Sequence, residues 1–322
     1  MKAILLGILA SFFFAFTFVL NRSMDLSGGS WLWSSSLRFI FMLPFLFVIV
    51  LIRGHLKPLF KALIAQPWVW VKWSFVGFVL FYGPLTFASA YGPSWLIAGT
   101  WQLTIIAGVL LSPLFYETKL TTEGPVKVRQ RISLMSLCTS LIIIIGVIFM
   151  QAAHIEKVSI KLILIGSLPV VLAAFCYPLG NRKMMAEFSE RVDTFQRVLG
   201  MTIASMPFWI ILAVIGWIKD GPPSTGQLTQ SFIVAVTSGI IATVLFFFAT
   251  DMVNNQPQKL AAVEATQSGE VIFSLLGEVF ILNGNMPSFW SFIGLFFIIT
   301  GMIIHSFMSN KEKHVHKAHK AS

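Results

Sequence analysis

The sequence has few charged residues and almost no cysteine. Of its 322 residues, 11% are Asp, Glu, Lys or Arg, whereas 56% are hydrophobic. Soluble domains carry about 25% charged residues, so a soluble globule of this composition could not cover its surface with polar side chains. The two cysteines, Cys138 and Cys176, both lie inside apolar runs. Their placement argues against a disulfide framework and a cysteine metal site, and the composition favours a membrane protein.

The sequence motifs of common enzymes are also missing. There is no HExxH motif, no glycine-rich phosphate-binding loop, and no set of Ser, His and acidic residues at matching depths. The sequence therefore predicts no cofactor and no metal site, and a membrane-embedded enzyme or lipid-handling scaffold is the least favoured interpretation. The net charge of +10 does not indicate a nucleic acid partner, because the basic residues lie between apolar runs and in the tail.

Long apolar runs are abundant. A helix needs about 20 mostly apolar residues to cross about 30 Å of hydrocarbon, because each residue advances it by about 1.5 Å. The runs predict an all-α integral membrane protein with ten transmembrane helices. They are Ala3–Leu20, Trp31–Ile52, Trp68–Ala90, Ser94–Tyr116, Ile132–Ala152, Lys161–Asn181, Gln196–Ile218, Phe232–Asp251, Leu260–Leu282 and Ser288–Phe307.

The basic residues are distributed unevenly among the predicted loops. Most of the 23 Lys and Arg residues lie at the N-terminus, in the even-numbered loops and in the tail. Loops rich in Lys and Arg stay on the cytoplasmic side, so both termini are predicted to be cytoplasmic in a multi-pass protein of the plasma membrane. Two termini on one side require an even number of spans, which agrees with ten.

The two halves of the sequence resemble each other. The matching positions are Asn21–Arg22 with Asn181–Arg182, Gly108 with Gly269, and Glu117 with Glu278. Five spans per half is an odd number, so the halves must have opposite orientations across the membrane, as in many transporters. The predicted divisions are a first five-helix repeat at 1–156, a second inverted five-helix repeat at 157–309, and a basic cytoplasmic tail at 310–322.

The repeat carries a resemblance to a known family. Ser112–Glu117 reads SPLFYE and Ser274–Glu278 reads SLLGE, so a Gly/Glu pattern closes the fourth and ninth spans. The chain resembles the drug/metabolite transporter superfamily and its ten-helix EamA-like members, and it is most similar to the group of multidrug-resistance efflux transporters. The resemblance implies a secondary exporter and no enzyme. The four-helix exporters of the superfamily use a membrane Glu in their first helix, whereas Ala3–Leu20 contains no acid.

The ninth predicted span contains three acids, which is unusual because ionisable groups are costly inside a membrane. At about 100° per residue, Glu264, Gln267, Glu270 and Glu278 fall on one polar stripe, which must face protein or water. Glu270 would lie near the middle of the membrane and Glu264 closer to the cytoplasm. A buried carboxyl group can exchange a proton for a positively charged substrate, so Glu270, Glu264 and Gln267 are candidate residues for binding substrate and protons.

Aromatic and basic residues complete the candidate site. Tyr82, Trp95 and Trp101 could hold a cationic substrate against the faces of their rings. Arg38 lies inside the second span, in the same leaflet as Glu278, and the favoured interpretation is a structural ion pair between the two. Binding of an anionic substrate by Arg38 is the alternative.

Two transport functions fit these residues. The first is secondary active export of small cationic or amphipathic molecules, a multidrug-type efflux by proton antiport, in which the partners are the substrate, protons and the lipid bilayer. The second is a metabolite carrier of the same superfamily, for amino acids, sugars or nucleosides.

Overall fold

A computed structural model of the chain describes residues 1–121, 124–132, 134–155, 159–188, 192–253 and 262–318. Most of these residues are helical, and two short strands are present. In chain order the elements are α1 (Lys2–Leu26), α2 (Trp31–Ile52), α3 (Leu56–Ala65), α4 (Pro67–Ala88), α5 (Ser94–Leu110), β1 (Tyr116–Thr121), β2 (Gly124–Arg129), α6 (Leu134–Ile155), α7 (Ile160–Phe188), α8 (Thr194–Asp220), α9 (Thr225–Thr250), α10 (Gly269–Phe280) and α11 (Phe289–Ala318).

Eight of the described helices are long and apolar enough to cross a membrane, namely α1, α2, α4, α6, α7, α8, α9 and α11. The fourth predicted span is shorter in the structure, whereas the described part of the ninth is helical from 262 to 280 and includes a 3-10 turn. α5 ends at Leu110, and Pro113 lies in the short 3-10 turn that follows, where its missing N–H cannot extend an α-helix. α10 ends at Phe280, while the predicted start at Leu260 and the boundary at 156–157 fall outside the described ranges. The ten spans and the inverted repeat stay predictions.

β1 and β2 form an antiparallel hairpin in which Tyr116 pairs with Arg129. This corrects the all-α prediction for one short segment, and it places Glu117 in a strand instead of at the end of the fourth span. The segment is rich in Thr and Val, whose branched side chains favour extended backbone. The predicted fourth span overlaps this hairpin only at Tyr116.

Stacked aromatic rings fix several helices around the centre of the molecule. Phe39 of α2 stacks on Trp209 of α8 with ring centroids 4.4 Å apart. Trp70 of α4 stacks on Phe188 of α7 at 4.6 Å, and all four rings are buried. Such pairs contribute about 0.5–1.5 kcal/mol beyond simple burial. They fix α2 against α8 and α4 against α7.

Two helices contain a wider, π-helical turn. These turns are Phe75–Val79 in α4 and Ala235–Ile241 in α9. π-helical turns are frequent at functional sites, because the extra residue changes the direction of the side chains that follow. In α4 the wide turn includes Gly77, which packs against Gly180 of α7. Directly after this turn come the aromatic residues of the candidate site.

Asp193 begins α8 and links it to the connection between α2 and α3. Its carboxylate accepts a hydrogen bond from the Gln196 N–H at 2.9 Å, and the Gln196 side chain accepts one from the Asp193 N–H at 2.7 Å. The carboxylate also contacts His55 Nδ1 at 2.8 Å and Arg53 Nη2 at 3.3 Å. Burial by itself raises the pKa of Asp193, but these hydrogen bonds and the Arg53 charge outweigh it and lower the pKa.

We expect Asp193→Asn to destabilise the protein only at a pH where the native carboxylate is ionised. Asn still caps the helix, so the substitution removes mainly the negative charge beside Arg53, and exposed ion pairs contribute about 1 kcal/mol or less. Because the pKa is lowered in the fold, this contribution is present at neutral pH and is lost as the pH falls through that lowered pKa. Thermal unfolding in detergent should show a difference that disappears in acid, and a constant difference would contradict this account.

Candidate functional site

α10 has one buried face that carries its acids. Its buried positions are Glu270, Val271, Ser274, Gly277 and Glu278, and its exposed apolar positions include Ile272, Leu276 and Phe280. α1 and α5 cover the buried face, since Gly277 lies against α1 and the Ser94 hydroxyl of α5 donates to the Ser274 carbonyl oxygen at 2.9 Å. The acids of α10 therefore face protein.

Glu270 is a buried acid whose carboxyl group has no hydrogen bond or ion pair among the described residues to offset its burial. Its side chain is 8% exposed, and the neighbouring Gly269 lies directly against Ser11 of α1. Within the described ranges, no hydrogen bond or ion pair reaches the Glu270 carboxyl group. A buried carboxylate without a partner is costly, and either a proton or a positively charged ligand relieves that cost. Glu270 is therefore the strongest candidate for exchange of a proton against a substrate.

Glu264 and Gln267 lie before α10 and are half-buried. Gln267 belongs to the 3-10 turn Thr266–Ser268. Because a 3-10 turn winds more tightly than an α-helix, the polar stripe predicted from uniform helical spacing is interrupted between Glu264 and Glu270. The amide nitrogen of Gln267 is enclosed and has no hydrogen-bond acceptor among the described residues, which leaves it as a donor close to Glu270 in the chain.

Glu278 and Arg38 have different partners, so the structure corrects the predicted ion pair between them. The Glu278 carboxylate accepts a hydrogen bond from the backbone N–H of Ser94 at 2.7 Å. Ser94 is the first residue of α5, and a negative charge is favourable at a helix N-terminus. Arg38 lies instead beside Thr17 and Tyr82. Equal depth in a membrane does not make two residues neighbours, because depth does not determine which helices pack together.

We expect Glu278→Ala to lower the thermal stability more than Glu278→Gln. Gln keeps an oxygen that can accept the Ser94 N–H, whereas Ala leaves this buried donor unpaired, at a cost of about 1–3 kcal/mol. Thermal unfolding of both purified variants in the same detergent measures the difference. Unchanged stability in the Ala variant would contradict the capping role of Glu278.

Arg38 belongs to a buried polar group that joins α1, α2, α4 and α9. Arg38 Nη1 donates to the Thr17 hydroxyl at 3.3 Å, and the Thr17 hydroxyl donates to the Ser238 hydroxyl at 2.7 Å. The guanidinium carbon lies 4.2 Å from the centroid of the Tyr82 ring, a favourable position for a cation. Asn21 Nδ2 donates to the Tyr82 hydroxyl at 3.1 Å. Among the residues that the structure describes, the partners that hold Arg38 in place are neutral.

Aromatic rings extend from the Tyr82 ring beside Arg38 to two neighbouring helices. Phe81, next to Tyr82, contacts Tyr177 and Trp101 with ring centroids 4.7 Å and 5.0 Å apart. Tyr177 is also 39% exposed, so the described residues do not enclose it completely. Four helices each contribute one side chain to this group, which we call the central cluster: Arg38, Tyr82, Trp101 and Tyr177. Glu270 lies on α10, which packs against α5, the helix that carries Trp101.

Trp95 lies outside the central cluster. It is 4% exposed and packs in a hydrophobic core with Val271, Met150 and Ile298. Its indole nitrogen is enclosed and has no acceptor in the described part of the chain. The structure therefore links Tyr82 and Trp101 of the predicted site through Phe81, which contacts both rings, and places Trp95 in the packing behind α10. The described ranges contain no group of His, Cys, Asp or Glu side chains that could hold a metal ion.

Tyr177 and the polar residues of α1 are functional candidates that the sequence analysis did not single out. Tyr177 precedes Pro178 in a span that is otherwise apolar, and a lone tyrosine there resembles an ordinary packing residue. Thr17 and Asn21 carried a clearer signal. They are four residues apart, so they share one face of α1, and both are buried with hydrogen bonds to other helices.

Comparison with known proteins places the chain among membrane transporters. The EmrE family model, described as "Putative multidrug resistance efflux transporter", matches residues 1–311. "Uncharacterized protein YjlA" of Bacillus subtilis (strain 168) is 65% identical over 318 residues, which cover 99% of this chain and 98% of that protein. "Uncharacterized 42.1 kDa protein in intracellular alkaline protease 3'region" of Shouchella clausii is 56% identical over 270 residues, covering 84% of this chain and 70% of that protein. A crystal structure with 15% identity and a TM-score of 0.62, covering 96% of this chain and 98% of that one, shows a similar fold.

Proposed function

Because this chain belongs to the EmrE-like family of multidrug resistance efflux transporters, we propose that it is a secondary active transporter that exports small amphipathic molecules in exchange for protons. The family and the eight long apolar helices make it a multi-pass membrane protein, and membership in a transporter family argues against an enzyme. The observation that carries the proposal is Glu270, a buried acid that has no hydrogen bond or ion pair among the described residues.

The proposed coupling is competition for this one acid. An ionised Glu270 needs a positive partner in its buried surroundings. In one state of the proposed cycle a proton neutralises the Glu270 carboxylate, and in another state the positively charged group of the substrate pairs with it. Tyr177 and Trp101 offer ring faces to the cation or to the apolar body of the substrate. A proton that enters down its gradient therefore displaces the substrate, and the substrate in turn displaces the proton.

The proposed membrane arrangement is ten spans in two inverted halves, with both termini on the cytoplasmic side of the plasma membrane. The distribution of Lys and Arg among the loops supports this orientation. α3 supports it as well, because Lys57 and Lys61 are exposed on this short helix together with Phe60 and Ile64. A helix that exposes both lysines and apolar side chains is suited to the cytoplasmic surface of a membrane.

Purified protein in proteoliposomes tests the function. We expect an imposed proton gradient, acidic inside, to drive uptake of a labelled lipophilic cation, and a protonophore to abolish that uptake. A pH-sensitive dye inside the vesicles should report proton loss that depends on the cation. Uptake at the same rate with and without the gradient would contradict antiport and leave an uncoupled carrier.

A metabolite carrier is the second candidate function, and one observation favours it. Arg38 is 8% exposed and has no acidic partner among the described residues. A site that served only cationic drugs would gain nothing from a buried positive charge such as that of Arg38. A metabolite with a negative group would find a positive partner for it at Arg38.

A further inference from the structure

Three basic side chains meet two aromatic rings where the end of α7 passes the start of α4 and the end of α5. Lys72 Nζ lies 4.8 Å from the centroid of the Trp73 ring, and Lys183 Nζ lies 5.9 Å from the same centroid. Lys183 Nζ is also 4.9 Å from the centroid of the Phe115 ring, and the guanidinium carbon of Arg182 is 5.9 Å from it. We call Lys72, Trp73, Phe115, Arg182 and Lys183 the basic-aromatic cluster.

Backbone carbonyl groups hold two of these cations in place. Arg182 Nη1 donates to the Gly108 carbonyl oxygen at 2.6 Å, and Lys183 Nζ donates to the Leu114 carbonyl oxygen at 2.9 Å. Gly108 lies in the last turn of α5, where carbonyl groups lack helical partners and a positive charge is favourable. Each cation uses one donor in this way, and Lys72 makes no hydrogen bond to another described residue. Most N–H donors of the cluster are therefore available to a ligand.

The positive charges of the basic-aromatic cluster have no acidic partner in the part of the chain that the structure describes. The acids that form ion pairs there are Asp25 and Asp193, and neither pairs with a member of the cluster. Glu187 follows Lys183 by one turn of α7 but forms no ion pair with it. Cations that lie close together without an acid attract an anion, and a phosphate group offers both negative charge and several acceptor oxygens.

Exposed apolar side chains border the cluster. Trp68 is 81% exposed and lies one turn before Lys72 on the same face of α4. Leu114 and Met185 are also exposed, and they are neighbours in the chain of Phe115 and near neighbours of Lys183. Tryptophan is typical of the level where lipid headgroups meet acyl chains, and basic pockets between helices on the cytoplasmic side bind anionic headgroups. The proposed membrane orientation places the start of α4 on that side.

We propose that the basic-aromatic cluster binds one anionic phospholipid of the cytoplasmic leaflet, with the phosphate at Lys72 and Lys183 and the acyl chains along Trp68 and Leu114. The lipid supplies the negative charge that the described residues do not, and its apolar chains cover side chains that are otherwise exposed. A bound lipid joins α4, α5 and α7, so it stabilises the folded protein. The site includes no residue of the central cluster and goes beyond the proposed transport function.

Thermal unfolding of the purified full-length protein in detergent tests the ligand class with three additives. Phosphatidylglycerol is anionic, phosphatidylcholine with the same acyl chains has no net charge, and glycerol 3-phosphate has the anionic group without the chains. We expect phosphatidylglycerol to raise the unfolding temperature by at least about 3 °C more than either of the others. An equal rise with phosphatidylcholine would overturn recognition of the charge. An equal rise with glycerol 3-phosphate would show a site for a soluble phosphate and overturn the lipid assignment.

Paired substitutions locate the site. Lys72→Gln with Lys183→Gln should reduce the phosphatidylglycerol-specific rise to less than about a third of its native value. Lys57→Gln with Lys61→Gln is the matched control, because it removes the same charge from two exposed lysines of α3, and it should keep the full rise. Each rise is measured against the same variant without lipid, so a change in intrinsic stability does not affect it. Equal loss in both pairs would show general attraction to a basic surface and overturn the site.

Single substitutions separate the lipid contact from the backbone contact of Lys183. Lys72→Gln removes no hydrogen bond to a described residue, so it should fold normally and lose about half of the phosphatidylglycerol-specific rise. Lys72→Arg keeps the positive charge and should retain most of it. A full rise in Lys72→Gln would exclude Lys72 from the site and overturn the proposal.

Discussion

Replacing Glu270 with Gln is expected to abolish proton-driven transport while the protein still folds. Gln has nearly the same shape as a protonated Glu, and no hydrogen bond or ion pair of Glu270 to another described residue is lost. The variant cannot release a proton or offer a negative charge to a substrate, so it remains in the equivalent of the protonated state. Uptake driven by an imposed proton gradient in proteoliposomes should fall to the level of empty vesicles.

Substrate binding should change in the same variant. A positive ligand relieves the cost of burying an unpaired carboxylate. Loss of the Glu270 carboxylate therefore removes the main attraction for an ammonium group. We expect Glu270→Gln to weaken binding of 2-phenylethylamine strongly and to make the remaining binding independent of pH. In the native protein, binding should weaken as the pH falls, because protons and the amine compete for the same carboxylate.

Glu278→Gln is the matched control for Glu270→Gln. Both residues are buried acids on one face of α10, two turns apart, and the substitution removes one negative charge in each case. Glu278 caps α5, so its Gln variant should keep gradient-driven transport at a measurable rate. Full transport in Glu270→Gln, or an equal loss in both variants, would remove Glu270 from its proposed role.

Much of the helical framework could be predicted from the sequence, because apolar runs in a membrane leave few alternatives to helices. α2 begins and ends where its apolar run does, at Trp31 and Ile52. The fourth span was predicted too long. Leu111 to Tyr116 is apolar enough to continue a helix, but Pro113 and the strand-forming residues after it end α5 early. Composition describes how apolar a segment is, and local backbone preferences decide where the helix stops.

The contacts between helices were less predictable than the helices themselves. Periodicity placed Glu270 and Glu278 on one face of a helix, and both are buried on that face. It contained no information about which helix covers each acid. Ser94 lies against Glu278 because α5 begins beside the end of α10, whereas Arg38 is held on α2 against Tyr82. The pairing of Arg38 with Glu278 assumed a packing arrangement that the sequence could not specify.

The π-helical turn of α4 shows a second limit of sequence reasoning. Uniform helical spacing from Trp70 would point Phe81 and Tyr82 in directions that the extra residue in the turn changes. The contacts of Phe81 with Tyr177 and Trp101 follow from that change. A single glycine and a run of Phe and Val do not reveal a wide turn by themselves, because the turn depends on how closely α7 approaches.

Replacing Gly180 with Ala is expected to have the second large effect, because it separates α4 from α7 where both backbones meet. A Cβ at Gly180 would overlap the backbone of Gly77 and would lie 2.9 Å from the Trp73 carbonyl oxygen. Backbone atoms cannot move aside as a flexible side chain can, and close helix contacts in membranes depend on such small residues. Overpacking of this kind costs about 1–3 kcal/mol. Thermal unfolding in detergent should show a clear loss of stability.

Gly83→Ala is the control for Gly180→Ala, because its backbone is helical and, beyond its own stretch of helix, no described atom lies within 4 Å of an added Cβ. It should leave stability unchanged or raise it slightly, since Ala favours helices. Gly180 lies one turn from Tyr177, so the shift of α7 should also disturb the contact of Tyr177 with Phe81 and reduce transport by the surviving protein. Equal stability of the two variants would mean that α4 and α7 approach each other less closely than the structure shows.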